Sequence, residues 1–519
     1  MKKSQKILII LTLALAFFLV YQPHFSYRFP FHVDEWHHIA EATRLANYGE
    51  YFAALRSQTV SRFTGLEIGF HFFLFLLSWV VNLVLFYKFL PAIWAAVGAL
   101  VLFYVTYKKT GRNFLIAWLA MIFFASIKSN VNVSGLWFFT PLSFALPFIF
   151  LYAYFLTEGI EKQNKKFISL AVLIMVFLIP THSISVLFIL PALLIFLLIN
   201  YRYVFKEYKF FLSFLVLPAT GILFFKYALA IPWSKLLFKL SYLLQFRYGW
   251  GVLEVHNDLT EVYSAAGYLL AIVGLFFLLL GRNNRRHYFY LLWPLTAFIL
   301  VIVYKLTGIS YLSPYQRNLY YFAVGLPFLS AVGLASLIKW VRHYLPLLIA
   351  NQNYRKYIQN FFSFSVSLKI NEKYTRYIQR AVSFLAVLII SLVAIFFTFT
   401  GYYRIPKQLD LYFPIQEKDY QAIKFLSAYP PSKVMAPPFI ASALYPIARH
   451  EPVGAVFFYG SREDVELFYL SAECEIKNQI IKKHQVKYII SPVPIDCGYD
   501  LIYQRINSLI YQVNDNPDE

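Results

Sequence analysis

Apolar runs close to the length of a membrane-crossing helix recur along this chain from residue 7 to residue 401, with short polar stretches between them. A crossing helix needs about 20 apolar residues. The runs at 7–22, 68–86, 89–107, 113–128, 136–157, 167–182, 185–200, 210–230, 263–281, 288–305, 319–338 and 381–401 read as crossings. The pattern predicts a polytopic α-helical membrane protein with about 11–13 transmembrane helices. No small-x-small cleavage signal follows the first run, Ile7–Val20, so it reads as an uncleaved crossing helix and not as a signal peptide.

From Tyr402 the texture changes. Residues 402–519 hold 12 basic and 14 acidic residues and no spanning run. "DYQAIKFLSAYP" followed by "SKVMAPPFI" reads as a helix and then a short strand. "IKNQIIKKHQVKYIISP" repeats that order, its helix leading into the β-branched "VKYIIS". The expected organisation is a transmembrane domain over 1–401, with a first extracytoplasmic loop at 23–67, and a small soluble extracytoplasmic α/β domain over 402–519. Cys474 and Cys497, the only cysteines, lie in the second part. On an oxidising face they suit a disulfide, although two separate half-buried thiols fit the sequence equally well.

The composition agrees: 59% of residues are hydrophobic and 14% charged, with a formal charge of +21. That charge sits in clusters between apolar runs, "MKKSQK", "YKKTGR", "EKQNKK", "YRYVFKEYK" and "GRNNRRH". This is the mark of loops held on the cytoplasmic side, so no nucleic-acid partner is implied; the charge implies only a diffuse attraction to membrane lipids. Residues 339–380, with eight Lys/Arg and one acid, fit the same side. The expected location is the plasma (inner) membrane, multi-pass, with the N-terminus cytoplasmic and the C-terminal domain extracytoplasmic. One conflict of parity remains. If 23–67 is outside, residues 68–107 must cross an odd number of times, yet their hydropathy suggests two crossings; either half of this stretch is re-entrant or one run does not cross.

Acid is scarce before residue 402, and five of the twelve carboxylates there fall in the first loop: Asp34, Glu35, Glu41, Glu50 and Glu67. Glu254, Asp258 and Glu261 lie in a later loop expected on the same side. Charge near a bilayer is costly, so such clustering marks a candidate site. A helix over 33–47 would line up Asp34, His37, His38 and Glu41 on one stripe, opposite Ile39, Ala42, Leu45 and Ala46. It would lie on the membrane surface with the polar stripe toward a cavity.

"DEWHHIAEATRLANYGEYF" resembles the first-loop signature of the GT-C superfamily of membrane glycosyltransferases, which includes aminoarabinose transferases and protein O-mannosyltransferases. Asp34-Glu35 directly after the first span, Ile39-Ala40, and Gly49 before an aromatic residue carry the resemblance. It implies an enzyme that moves a sugar from a polyprenyl phosphate or diphosphate to a lipid, glycan or protein acceptor on the outer face of the membrane. It also implies that Asp34 is the general base for the acceptor, with Glu35 supporting it or binding the acceptor. Arg317, at the threshold of a span in "GISYLSPYQRNLYYFAVGLP", is the candidate grip for the lipid phosphate, with Tyr315 beside it. Arg62 near Glu67 is a second phosphate candidate, although the Lys-Pro-Pro of some members is missing there. His182 in "IPTHSISVLF" is a candidate cavity residue, and His37, His38 and Glu67 are candidates for substrate binding. In "SNVNVSGLW", Asn130 and Asn132 stand where the aminoarabinose transferases lead one to expect an acid.

No cofactor is assigned from the sequence. His32, Asp34, His37 and His38 could form an imidazole–carboxylate site for a divalent metal, but the helical zinc motif His-Glu-x-x-His is absent and the adjacent histidines diverge. Two other function classes compete: a surface-polysaccharide polymerase or ligase, whose active loop would be expected late in the chain, and a transporter or flippase of a lipid-linked substrate, for which neither an internal repeat nor a mid-span acid is seen.

Overall fold

The computed structural model describes residues 2–46, 67–129, 135–214, 216–227, 232–234, 237, 247–249, 259–280, 288–350, 372–400, 402, 413–456, 460–505 and 507–514. Among these, seven helices are long and apolar enough to cross a membrane: Lys3–Phe25, Leu83–Lys109, Pro141–Glu161, Lys165–Ile199, Phe289–Thr307, Tyr315–Leu345 and Ala381–Phe399. Shorter apolar helices, Ile68–Ser78, Phe114–Ala125 and Ala265–Leu280, pack among them. The chain is a multi-pass helical membrane protein with a small C-terminal sheet domain.

Two places refine the sequence reading. The run 68–86 is not one helix. It breaks after Ser78, and Asn82 restarts the chain by accepting a hydrogen bond from the Leu85 N–H on its side chain. Ile68–Ser78 has 11 residues and so is about 16 Å long, half of what a hydrocarbon core requires. Only Leu83–Lys109 in this region is long enough to cross, which removes the parity conflict.

The helix Lys165–Ile199 has non-helical backbone at His182. Its 35 residues would be about 52 Å long if straight. Yet the Lys165 Nζ lies 2.6 Å from a Glu207 carboxylate oxygen, only eight residues past the other end. Eight extended residues reach about 28 Å at most, and two side chains do not make up the rest. The two arms therefore fold back on each other at His182, as expected for separate spans at 167–182 and 185–200.

The C-terminal sheet has five strands in the order Glu451–Pro452, Lys433–Met435, Val486–Ser491, Ser508–Gln512, Asp500–Arg505. The first three are parallel and the last two join antiparallel. Alternation along the strands divides the core. Tyr488, Ile490 and Ile510 face the helices Glu417–Leu426 and Pro438–Ala448. Ile489, Leu509 and Tyr511 face Arg462–Leu470 and Cys474–His484. Cys474 and Cys497 are joined in a disulfide.

The first of these two cores does not stop at the domain edge. It continues through Trp36, Ile39 and Ala42 into Phe70, Leu74 and Phe139 of the membrane part. The helix Val33–Arg44 thus lies between the C-terminal domain and the membrane helices. It is buried all round except near Asp34 and Thr43, and does not lie as a surface helix with one wet face.

Candidate active site

His32 caps the helix Val33–Arg44: its Nδ1 accepts the Asp34 N–H at 3.1 Å. Glu35 reaches back to the two residues before the helix. Its Oε2 accepts the N–H groups of Phe31 and His32 at 2.7 and 3.1 Å, closing a capping box. Its Oε1 accepts the Phe139 N–H at 2.8 Å, 104 residues away in sequence. The Phe139 carbonyl in turn accepts from the Tyr87 hydroxyl. Glu35 is fully buried and both its oxygens are occupied. Burial pushes its carboxyl up to about 8 against the pull of three backbone N–H groups.

Asp34 is the accessible member of the pair. Its side chain is 26% exposed, and Oδ2 lies 3.6 Å from the His32 Nδ1. Burial lowers the pKa of His32; Asp34 opposes that shift and Arg317 adds to it. Arg317, half-buried in the first turn of Tyr315–Ala350, therefore acts on the imidazole that touches Asp34. Its charge also reaches His182, Tyr320 and Tyr321. The carboxylate of the first loop and the cation of the late span share one neighbourhood, built around His32.

His182 is buried at the fold-back of its helix. Its Nδ1 lies 2.7 Å from the Ser185 Oγ and 3.3 Å from the Tyr321 hydroxyl, and those two oxygens are 2.5 Å apart. Phe188 stacks on Tyr321 at 3.9 Å. Tyr315 has a different setting: its ring stacks on Tyr304 at 4.2 Å, with the Lys305 ammonium 5.6 Å from its centre.

His37 and His38 are buried, and burial lowers the pKa of both. His38 also feels the charges of His37, His71, His182 and His32, so five histidines converge here. The His38 Nδ1 is 3.1 Å from the His71 Nε2 and 3.8 Å from the Glu67 Oε2. The three residues His38, Glu67 and His71 have donor atoms all within 4.8 Å of one another. This is not the set His32, Asp34, His37 and His38 that the sequence offered for a metal. His71 went unread because "IGFHFFLF" looks like part of a span; a histidine inside so apolar a run was the available signal. Arg62, Asn130, Asn132, Glu50, Glu254 and Asp258 lie outside the described residues.

The C-terminal domain grips the far end of the same helix. The buried Arg44 pairs with Glu41 at 2.9 Å and with Glu451 of the edge strand at 2.7 Å, and it lies 4.2 Å from the centre of the Tyr445 ring. Arg449 donates to the Thr43 carbonyl at 3.2 Å. At the near end, the Phe413 N–H donates to the Phe31 carbonyl and the Tyr27 hydroxyl to the Ile415 carbonyl.

The fold, a helical membrane body with a small C-terminal α/β domain, is similar to that of solved structures of an oligosaccharyltransferase and of ArnT. The oligosaccharyltransferase AglB from Archaeoglobus fulgidus, in complex with an inhibitory peptide and a dolichol-phosphate, matches with TM-score 0.53 at 13% identity over 95% of this chain and 70% of its own. ArnT from Cupriavidus metallidurans, bound to undecaprenyl phosphate, matches with TM-score 0.53 at 11% identity over 98% of both chains. The Archaeoglobus enzyme in complex with Zn and sulfate matches with TM-score 0.52 at 11% identity, over 93% of this chain and 68% of its own. No family model matches the sequence, and no curated protein does.

Proposed function

We propose that this protein is a membrane glycosyltransferase that moves a sugar from a polyprenyl phosphate or diphosphate to an acceptor on the outer face of the membrane. The observation that carries the reading is the convergence of Asp34 and Arg317 on His32 within a GT-C fold. Asp34 is the partly exposed member of the carboxylate pair, and it is the one whose oxygen lies beside His32.

The chemistry assigned to these groups is a single displacement. A hydroxyl or amide of the acceptor attacks the anomeric carbon, and Asp34 takes its proton. The bond from that carbon to the phosphate oxygen breaks, and the oxygen leaves with the electron pair. Arg317 meets the charge gathering on the phosphate; a guanidinium suits this through its paired N–H donors. Inversion at the anomeric carbon follows. Glu35 is assigned no proton transfer. With both oxygens held by backbone N–H groups, it fixes the turn that presents Asp34. His182, linked to Tyr321, is assigned to the wall beside Arg317.

The first loop and C-terminal domain are assigned to the extracytoplasmic side. The disulfide and the basic loops on the opposite side support that orientation. A divalent ion is within the reading as well. His38, Glu67 and His71 are the residues whose donors suit one, and no step of the transfer is routed through it. The test is mass spectrometry of envelope glycolipids and glycans from cells with and without the protein. A sugar modification that disappears with the gene and returns with it is expected. An unchanged glycan profile, together with altered movement of a lipid-linked substrate across the membrane, would favour a transporter instead.

A further inference from the structure

The geometry points to a zinc-type site formed by His38, Glu67 and His71, which fastens the helix carrying Asp34 to the short helix Ile68–Ser78. Glu67 is the residue before that helix and His71 lies in its first turn, four positions on, so the two project from the same side. His38 faces them from Val33–Arg44, one turn beyond Asp34. A tetrahedral zinc ion with Zn–N and Zn–O bonds of about 2.0–2.2 Å places neighbouring donor atoms about 3.3 Å apart. Here the two imidazole nitrogens are 3.1 Å apart, and the carboxylate oxygen is 3.8 Å from the first of them. All three donor atoms lie within 4.8 Å of one another, close enough for small side-chain rotations to bring them onto one ion, and the fourth position is left to a water.

The chemistry of the donors agrees with their spacing. Two imidazoles and one carboxylate suit zinc better than magnesium or calcium, which favour all-oxygen shells. His38 and His71 are buried and Glu67 is half-buried, so the donors are held by packing and not spread over a surface. A zinc ion at this point would also answer a problem of the fold. Ile68–Ser78 is too short to anchor itself across the bilayer, and it packs against the helix that presents Asp34. An ion bound to both helices would fix their relative position at the one turn adjacent to the candidate base. The site does not depend on the transfer reaction, because the ligands are distinct from Asp34 and Arg317.

Metal analysis of the purified full-length protein tests this. After equilibration with zinc and removal of excess, the wild type is expected to retain about one zinc per chain, and His71→Asn and Glu67→Gln to bind it at least about tenfold more weakly. Cobalt in place of zinc should give the visible absorption of a four-coordinate site in the wild type and not in His71→Asn. Chelation should lower the thermal midpoint of the wild type, zinc should restore it, and neither should move that of Glu67→Gln. Asp34→Asn is expected to keep the ion. Retention at background level by a folded wild type, with no thermal response to zinc, would overturn the site and leave His38 and His71 as a hydrogen-bonded pair. Loss of zinc in Asp34→Asn with retention in Glu67→Gln would assign the ion to other ligands and overturn it equally.

Discussion

Arg44 and Glu451 meet at 2.7 Å across 407 residues of sequence, joining the last turn of the first-loop helix to the edge strand of the C-terminal sheet. The two partners are unequal. Arg44 is buried and also serves Glu41, whereas the Glu451 side chain is 47% exposed.

That inequality sets the expectation for two single variants. Arg44→Ala leaves the buried Glu41 carboxylate without this cation, and is expected to cost about 3–5 kcal/mol of unfolding free energy. Glu451→Ala removes an exposed partner and is expected to cost about 1 kcal/mol or less. Reversible unfolding of the protein in detergent micelles, followed by tryptophan fluorescence, gives both values. Equal losses would mean that the exposed contact carries the docking.

Glu35 gives a pH dependence of definite sign. Its folded-state carboxyl lies at about 8, above the usual carboxylate range, because it is buried. The folded state therefore holds this proton where the unfolded chain has released it. The contribution is fully present below about pH 4.5 and is lost as pH rises toward 8. Wild-type stability measured against Glu35→Gln across pH 5–8 should show the difference between them shrinking with rising pH. A difference that grows with pH would mean that the carboxylate is the form the fold favours.

The disulfide closes a segment between residues 23 positions apart. Removing it with Cys474→Ser and Cys497→Ser together is expected to cost the C-terminal domain about 3 kcal/mol through the freedom returned to the unfolded chain. The check is the thermal midpoint of the double variant compared with the wild type. No shift would mean that the helix Cys474–His484 is held by Ile480 and Ile481 in the core alone.

Arg317→Lys keeps the charge and loses the paired donors. If Arg317 meets the charge on the leaving phosphate, turnover with a lipid-phosphate donor should fall by about 10²–10³. A rise in KM alone, at unchanged kcat, would make Arg317 a residue of substrate capture only.

Much of this arrangement could be read from local pattern. Apolar runs mark the membrane body, although seven crossing-length helices are found among the described residues where the runs suggested 11–13; the sheet domain follows from "VKYIIS" and "SKVMAPPFI", and the first-loop helix from its polar and apolar stripes. What local pattern could not carry is contact across the chain. Glu35 and Asp34 are neighbours of one chemistry, and only Phe139, more than a hundred residues away, separates their roles. The stripe Ile39 and Ala42 looked like a membrane-facing surface because its covering layer, Ala441 and Leu444, belongs to the other domain. His71 was hidden by hydropathy. The run 68–86 was overextended because an averaged apolar window does not register the break that Asn82 imposes.

The central claim is that Asp34 removes a proton from the acceptor while Glu35 only holds the turn. The most direct measurement is the single-turnover rate of sugar transfer by Asp34→Asn in proteoliposomes loaded with the polyprenyl-phosphate sugar that the glycan comparison identifies. Transfer should fall to background while the protein keeps the wild-type thermal midpoint and still binds the lipid phosphate. Transfer at the wild-type rate in Asp34→Asn would contradict the claim outright.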